Sequence, residues 1–205
     1  MGFLKKLFSS SQTAVDPLLP NAEAYNKRGC VYAKNGDQDR AIIDFNQAIR
    51  LSPRSASVYN NRGSSYAVKG DFNHTFSDFA KAIELDPQYS DVYYSRGTAY
   101  ANLGEYDHAI NDFARHIELE PQAIGAYINR GNCYATKGDI PNALADYSKV
   151  IELNPQYATA YKNRGVIYLN NSDNKHAVID FEKALELGLD TSDEQQVTAV
   201  LKKLR

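Results

Sequence analysis

One five-residue phrase, Tyr-Asn-Asn-Arg-Gly at residues 59–63, constrains this chain more than anything else in it, because it is written five times. Near-copies begin at Tyr25, Tyr93, Tyr127 and Tyr161, with successive copies spaced 34 residues apart and no insertion or deletion between them. A fixed period of this size is the mark of a solenoid. Each unit cannot bury its apolar face alone, so neighbours stack into a continuous core. The array divides into 22–55, 56–89, 90–123, 124–157 and 158–191, with a leader at 1–21 and a closing segment at 192–205. Repeat arrays lengthen by adding neighbours, so 205 residues read as one elongated domain.

Counting from the first residue of each unit, positions 4, 8 and 11 are Tyr, Gly and Tyr every time, from Tyr25, Gly29 and Tyr32 to Tyr161, Gly165 and Tyr168. Spacing of i, i+4 and i+7 puts all three on one face of a helix. A glycine inside a helix costs roughly 1 kcal/mol against alanine, so its recurrence predicts close approach of a second helix. Position 20 (Ala41, Thr75, Ala109, Ala143, Ala177) is small enough to sit against that glycine. Positions 24 (Phe45, Phe79, Phe113, Tyr147, Phe181) and 28 (Ile49, Ile83, Ile117, Ile151, Leu185) carry the apolar face of the second helix. Glycine at position 15 (Gly36, Gly70, Gly104, Gly138) predicts a left-handed residue ending the first helix, with Ser172 in a looser turn in the last unit. Pro53, Pro87, Pro121 and Pro155 stop the second helix; the last unit has Gly188 and Leu189 there.

Ten charges repeat in lockstep. Position 7 is Arg28, Arg62, Arg96, Arg130 and Arg164; position 23 is Asp44, Asp78, Asp112, Asp146 and Asp180. Position 7 borders the packed face, so five bidentate Arg–Asp pairs between helices are expected. The functional alternative is a row of arginines that binds anions.

Tyr at 4, Gly at 8, Tyr at 11, Ala at 20, Phe at 24, Ala at 27 and Pro at 32 in 34 residues resemble the tetratricopeptide repeat. Thr75, His116, Val150 and Leu189 depart from the pattern locally. The resemblance implies an all-α solenoid of five helix-turn-helix repeats. It further implies a right-handed superhelix whose first helices line a concave, peptide-binding groove. A capping helix over 192–205 completes the expected fold: Ser192-x-x-Gln195 reads as a capping box, followed by the stripe Val197, Val200, Leu201 and Leu204.

The groove residues expected to touch a partner are Asn26, Asn60, Asn61, Tyr94, Ile128, Asn129, Asn132, Lys162 and Asn163. Chaperone-adaptor members of the family clamp a terminal carboxylate with lysines and an arginine at set groove positions. No three consecutive repeats here supply those cations, which argues against a heat-shock-protein tail. Asn61, Asn129 and Asn163 at position 6 instead resemble the asparagine ladder of the O-linked N-acetylglucosamine transferase. A carboxamide both donates and accepts, so it can hold a peptide backbone without reading its side chains.

Other function classes find little support. A formal charge of −2 and the lack of a Lys/Arg block argue against nucleic acid. There is no phosphate-cradling glycine loop, nucleophile elbow or His-Glu-x-x-His motif, and His74, His108 and His176 are dispersed one per repeat. No enzyme activity and no cofactor are expected. Cys30 and Cys133, three repeats apart, are read as free thiols in a reducing, cytoplasmic setting. Residues 1–8, with Phe3, Leu4, Leu7 and Phe8 around Lys5 and Lys6, read as a leader, or alternatively as a helix that recruits the scaffold to a membrane surface. A regulatory subunit of an enzyme and self-association complete the readings.

Overall fold

Residues 21–204 are described by a computed structural model, and among them there are helices and no strands. The first helices of the five hairpins are α1 (Ala22–Lys34), α3 (Ala56–Val68), α5 (Ser90–Asn102), α7 (Ile124–Lys137) and α9 (Ala158–Asn170). Their partners are α2 (Gln38–Leu51), α4 (Phe72–Leu85), α6 (Tyr106–Leu119), α8 (Ile140–Leu153) and α10 (Asn174–Leu187), and α11 (Thr191–Leu204) closes the chain. The helices group into two compact units, one up to Val92 and one from Tyr93 onward. In the first, α1 packs on α2, α2 on α3 and α3 on α4. In the second, α6 packs on α7, α7 on α8, α8 on α9, α9 on α10 and α10 on α11.

Each hairpin turns where the glycines stand. Gly138 has φ 78°; its N–H donates to the Ala135 carbonyl at 3.0 Å and the Asp139 N–H to Tyr134 at 2.9 Å. This crossed pair satisfies carbonyls that the helix end would leave open. Ser172 takes the same left-handed conformation at φ 62°, and the N–H groups of Ser172 and Asp173 repeat the bonds at 3.0 and 2.8 Å. The last turn is therefore not looser than the others. Asp37, Asp71, Asp139 and Asp173 follow and cap α2, α4, α8 and α10, each side chain accepting from the amide three residues on.

The five expected Arg–Asp pairs form, each between the two helices of one hairpin. Nε donates to Oδ2 and Nη2 to Oδ1 at 2.7–2.9 Å in every pair. The aspartates are buried, at 2–5 % exposure. Two arginines also reach the preceding hairpin: Arg62 Nη1 donates to Asn46 at 2.6 Å and Arg164 Nη1 to Ser148 at 3.0 Å.

Two expectations about packing need correction. The helix glycine does not face the small residue at position 20. A Cβ on Gly29 would lie 2.6 Å from the Phe45 ring, and one on Gly97 3.0 Å from Phe113, so the glycine makes room for the aromatic ring at position 24. The first helix of a hairpin also buries more than the Tyr/Gly/Tyr stripe. Val58, Val92, Ala126 and Ala160 at position 3, and Ser65, Ala99, Cys133 and Ile167 at position 10, are at most 6 % exposed. The reason is visible at α3, α7 and α9, each of which lies against both its own partner and the second helix of the hairpin before it. Val31, the position-10 residue of α1, has no described hairpin before it and is 57 % exposed.

Helix α11 buries Val197 and Leu201 against Ala177 and Phe181, with Tyr168, Leu169 and Leu185 at the edge. Its start is capped by Asp190, whose Oδ1 accepts from the Asp193 N–H at 2.9 Å. The expected box at Ser192 and Gln195 is not the cap, because the helix begins at Thr191 and Ser192 is already inside it. The leader falls outside the described residues except for Asn21, which caps α1 by accepting from the Ala24 N–H at 2.9 Å.

Candidate functional site

Within each unit, candidate sites lie where the exposed edges of neighbouring first helices meet. In the first unit the Asn61 amide on α3 donates to Asn26 Oδ1 on α1 at 3.0 Å and points at Cys30 Sγ at 3.3 Å. In the second, the Asn129 amide on α7 donates to the Tyr94 hydroxyl on α5 at 3.0 Å. The Asn163 amide on α9 donates to Asn132 Oδ1 on α7 at 3.3 Å, and the Tyr147 hydroxyl donates to the same oxygen at 2.7 Å. Every position-6 asparagine thus spends an amide hydrogen on the repeat before it, which orients its carboxamide. Burial pushes the Tyr147 hydroxyl up to about 12, with Asp146 and Cys133 adding to the shift. That tyrosine is therefore a standing donor to Asn132 at neutral pH.

Three pockets sit along these edges. One of about 260 Å³ lies between α1 and α3, walled by Cys30, Ala33, Asn61 and Val68 over Phe45. A second of about 220 Å³ lies between α5 and α7, over Phe113, with Asn129, Asn132 and Thr136 at its wall. The third, about 420 Å³, lies between α7, α9 and α11. Val166, Leu169, Val197 and Val200 make it largely apolar, and Asn132, Lys162, Asn163 and Asp193 supply polar atoms. Each pocket is floored by a position-24 aromatic, the ring whose entry the helix glycine permits.

Of the nine expected contact residues, Asn60 lies in the interior, and Ile128 and Lys162 are engaged by other parts of the chain. Asn60 is 6 % exposed and its Oδ1 is buried with no partner, so it belongs to the interior. Ile128 packs on the cluster of Ile117, Ala126, Tyr127, Val150 and Ala160. Lys162 is no open cation: its Nζ pairs with Asp193 of α11 at 2.6 Å, both side chains 21 % exposed. Tyr94 is half-buried, its ring set edge-on to Phe113 at 5.8 Å. Asn26, Asn61, Asn129, Asn132 and Asn163 lie at the edges of the first helices.

Position 9 entered the expected contacts only through Asn132, and positions 12 and 13 and the whole wall from α11 did not enter them. The small residues at position 12 signalled the helix positions, but nothing local in 192–205 marks Asp193 or Val197 as pocket-lining. Elsewhere, His74 and His176 pair through Nδ1 with the capping Asp71 and Asp173 at 2.7 Å, and buried His116 packs on Tyr94. No group of three metal-binding side chains occurs among the described residues. No helix among them is long and apolar enough to cross a membrane.

Helical hairpins joined through left-handed turns, with pockets between their first helices, define a helical repeat protein of the interaction-module class. Models of the tetratricopeptide repeat match residues 22–55, 56–89, 90–122 and 158–187, and a further model described as TPR repeat matches 131–172. The chain belongs to the tetratricopeptide repeat family. Among solved structures it is similar to MamA, with 28 % identity, 78 % of this chain and 93 % of that chain covered, and a TM-score of 0.71. It shares its fold with YrrB, described as a TPR protein with an unusual peptide-binding site (24 % identity, 87 % and 92 % covered, TM-score 0.71). It also shares it with PilF of Pseudomonas aeruginosa (16 % identity, 89 % and 83 % covered, TM-score 0.80). A comparison with curated proteins found no match.

Proposed function

We propose that this chain is a non-catalytic adaptor or scaffold that holds a peptide segment or helix of a partner protein against its first-helix edges. The observation that carries the reading is the asparagine arrangement. Asn61, Asn129 and Asn163 each have one amide hydrogen committed to the neighbouring repeat, so the carboxamide planes are preset before a ligand arrives. A preset carboxamide accepts from or donates to a peptide backbone at little cost in side-chain entropy. The pockets beside them offer room for side chains. Membership of the family supports the interaction role, and the peptide-binding description of YrrB is in keeping with it. Both cysteines are unpaired, which supports placing the protein in the cytoplasm. The membrane-surface alternative rests on residues 1–8, outside the described residues.

The test compares partners captured from native lysate by the wild-type chain and by the triple variant Asn61→Ala, Asn129→Ala, Asn163→Ala, matched for circular dichroism. A partner held only by the wild type supports the first-helix edge as the binding surface. Equal retention of every partner by the triple variant removes the asparagines from the site.

A further inference from the structure

The pocket between α1 and α3 differs from the others in one respect. It holds two polar groups where the array elsewhere carries mostly apolar ones. Position 10 is Val31, Ala99, Cys133 and Ile167 in four repeats but Ser65 in the second. Position 17 is Phe72, Tyr106 and Ile140 in the middle three repeats, but Gln38 in the first and Asn174 in the last. Ser65 and Gln38 both line this one pocket. Ser65 is 2 % exposed, and its Oγ and Gln38 Oε1 are buried with no hydrogen-bond partner. The Gln38 amide nitrogen is already used, donating to the Ala33 carbonyl at 3.1 Å, so the group's orientation is set with the oxygen left over. Buried polar atoms without partners are costly and rare, and two in one cavity point to a ligand that supplies what they lack.

We propose that this pocket is a subsite for a neutral side chain that both donates and accepts hydrogen bonds, the carboxamide or hydroxyl of an Asn, Gln, Ser or Thr in the bound peptide. The assignment rests on the peptide-binding reading above. The ligand donates to Gln38 Oε1 and shares a hydrogen bond with Ser65 Oγ, which can give or take a proton. A charged group does not fit, because the lining offers no counter-ion and Phe45, Ala33 and Val68 would desolvate it. A purely apolar group leaves both polar atoms unsatisfied. At about 260 Å³ the pocket is well beyond one water, whose share of liquid volume is about 30 Å³.

Cys30 at the wall gives a direct probe, since its thiol is exposed while Cys133 is buried. Matched small disulfides, one ending in a primary carboxamide and one in the isosteric hydrocarbon, are equilibrated with the full chain under partly reducing conditions. Intact-mass spectrometry reads the fraction captured, with Cys30→Ser as the blank. Preferred capture of the carboxamide by about fivefold or more in the wild type, falling to parity in Ser65→Ala, is the expected result. A Gln38→Met variant gives the same loss of preference. Equal capture of both compounds by the wild type, preference unchanged in both variants, or no capture above the blank overturns the proposal. Those outcomes leave the asparagine test untouched: a partner lost by the triple variant keeps the peptide reading even if this subsite fails.

Discussion

Arg96 and Asp112 meet side by side across one hairpin, Nε donating to Oδ2 at 2.8 Å and Nη2 to Oδ1 at 2.7 Å. Asp112 is 5 % exposed, so the guanidinium is what allows a carboxylate to stay charged there. Removing it leaves an uncompensated buried charge, which typically costs 3–5 kcal/mol, roughly 3 here because the arginine side chain is 26 % exposed. Arg96→Ala is therefore expected to lower the unfolding free energy by about 3 kcal/mol in denaturant titrations. A loss under about 1 kcal/mol would mean that water replaces the arginine freely.

The glycine-to-ring contacts grade the effect of adding a methyl group. Alanine gains about 1 kcal/mol of helix propensity over glycine. At Gly29 the new Cβ would sit 2.6 Å from Phe45, a ring 1 % exposed; at Gly97 it would sit 3.0 Å from Phe113. Overpacking costs about 1–3 kcal/mol. Gly29→Ala should therefore destabilise by about 1–2 kcal/mol, and more than Gly97→Ala, with Phe45→Leu restoring part of the loss. The opposite ranking in melting temperature would contradict the contact.

Ser65→Ala should raise stability. It removes a buried hydroxyl without a partner and installs the residue that Ala99 represents at the same position one repeat later. The gain is about 1 kcal/mol from desolvation and helix propensity together. A destabilised variant would show that the hydroxyl is satisfied in solution.

Ser172 holds a left-handed conformation that four other turns give to glycine. A non-glycine residue there costs about 1 kcal/mol or more. Ser172→Gly should raise the unfolding free energy by about 0.5–1 kcal/mol, since relief of strain outweighs the extra freedom of the unfolded chain. No gain on calorimetry would mean the turn tolerates serine without strain.

Tyr147 supplies a pH dependence at the alkaline end. Its hydroxyl is raised from 10.0 to about 12, chiefly by burial. A raised folded value means the neutral form is favoured by folding. Its contribution is full below 10 and is lost as pH climbs toward 12, at up to about 1.4 kcal/mol per pH unit. The expected signature is a decline in denaturation midpoint across that window that is shallower in Tyr147→Phe. Identical slopes in the two proteins would place the ionising group elsewhere.

The helices, their turns and the Arg–Asp pairs were legible because each is written by spacing within one repeat. Residues sixteen apart in a hairpin recur five times, and recurrence singles out the pairing. Contacts with the neighbouring repeat were legible only in part. Asn61, Asn129 and Asn163 were read as groove residues and sit at the edge, yet nothing in their own repeat says that each bonds backward to Asn26, Tyr94 or Asn132. Asn60 was misplaced for another reason: a polar residue one step along the helix reads as exposed, yet it is 6 % exposed.

The amino-acid order alone determined the period, the helix ends and the buried ion pairs, since these follow from local geometry and from chemistry repeated in register. Tertiary structure decided which ring each glycine admits, that Lys162 is tied to Asp193, and that Ser65 and Gln38 share one cavity. A helix has one period but several faces. Which neighbour covers each face depends on how the hairpins stack, and stacking is set by the summed packing of all of them rather than by any local pattern.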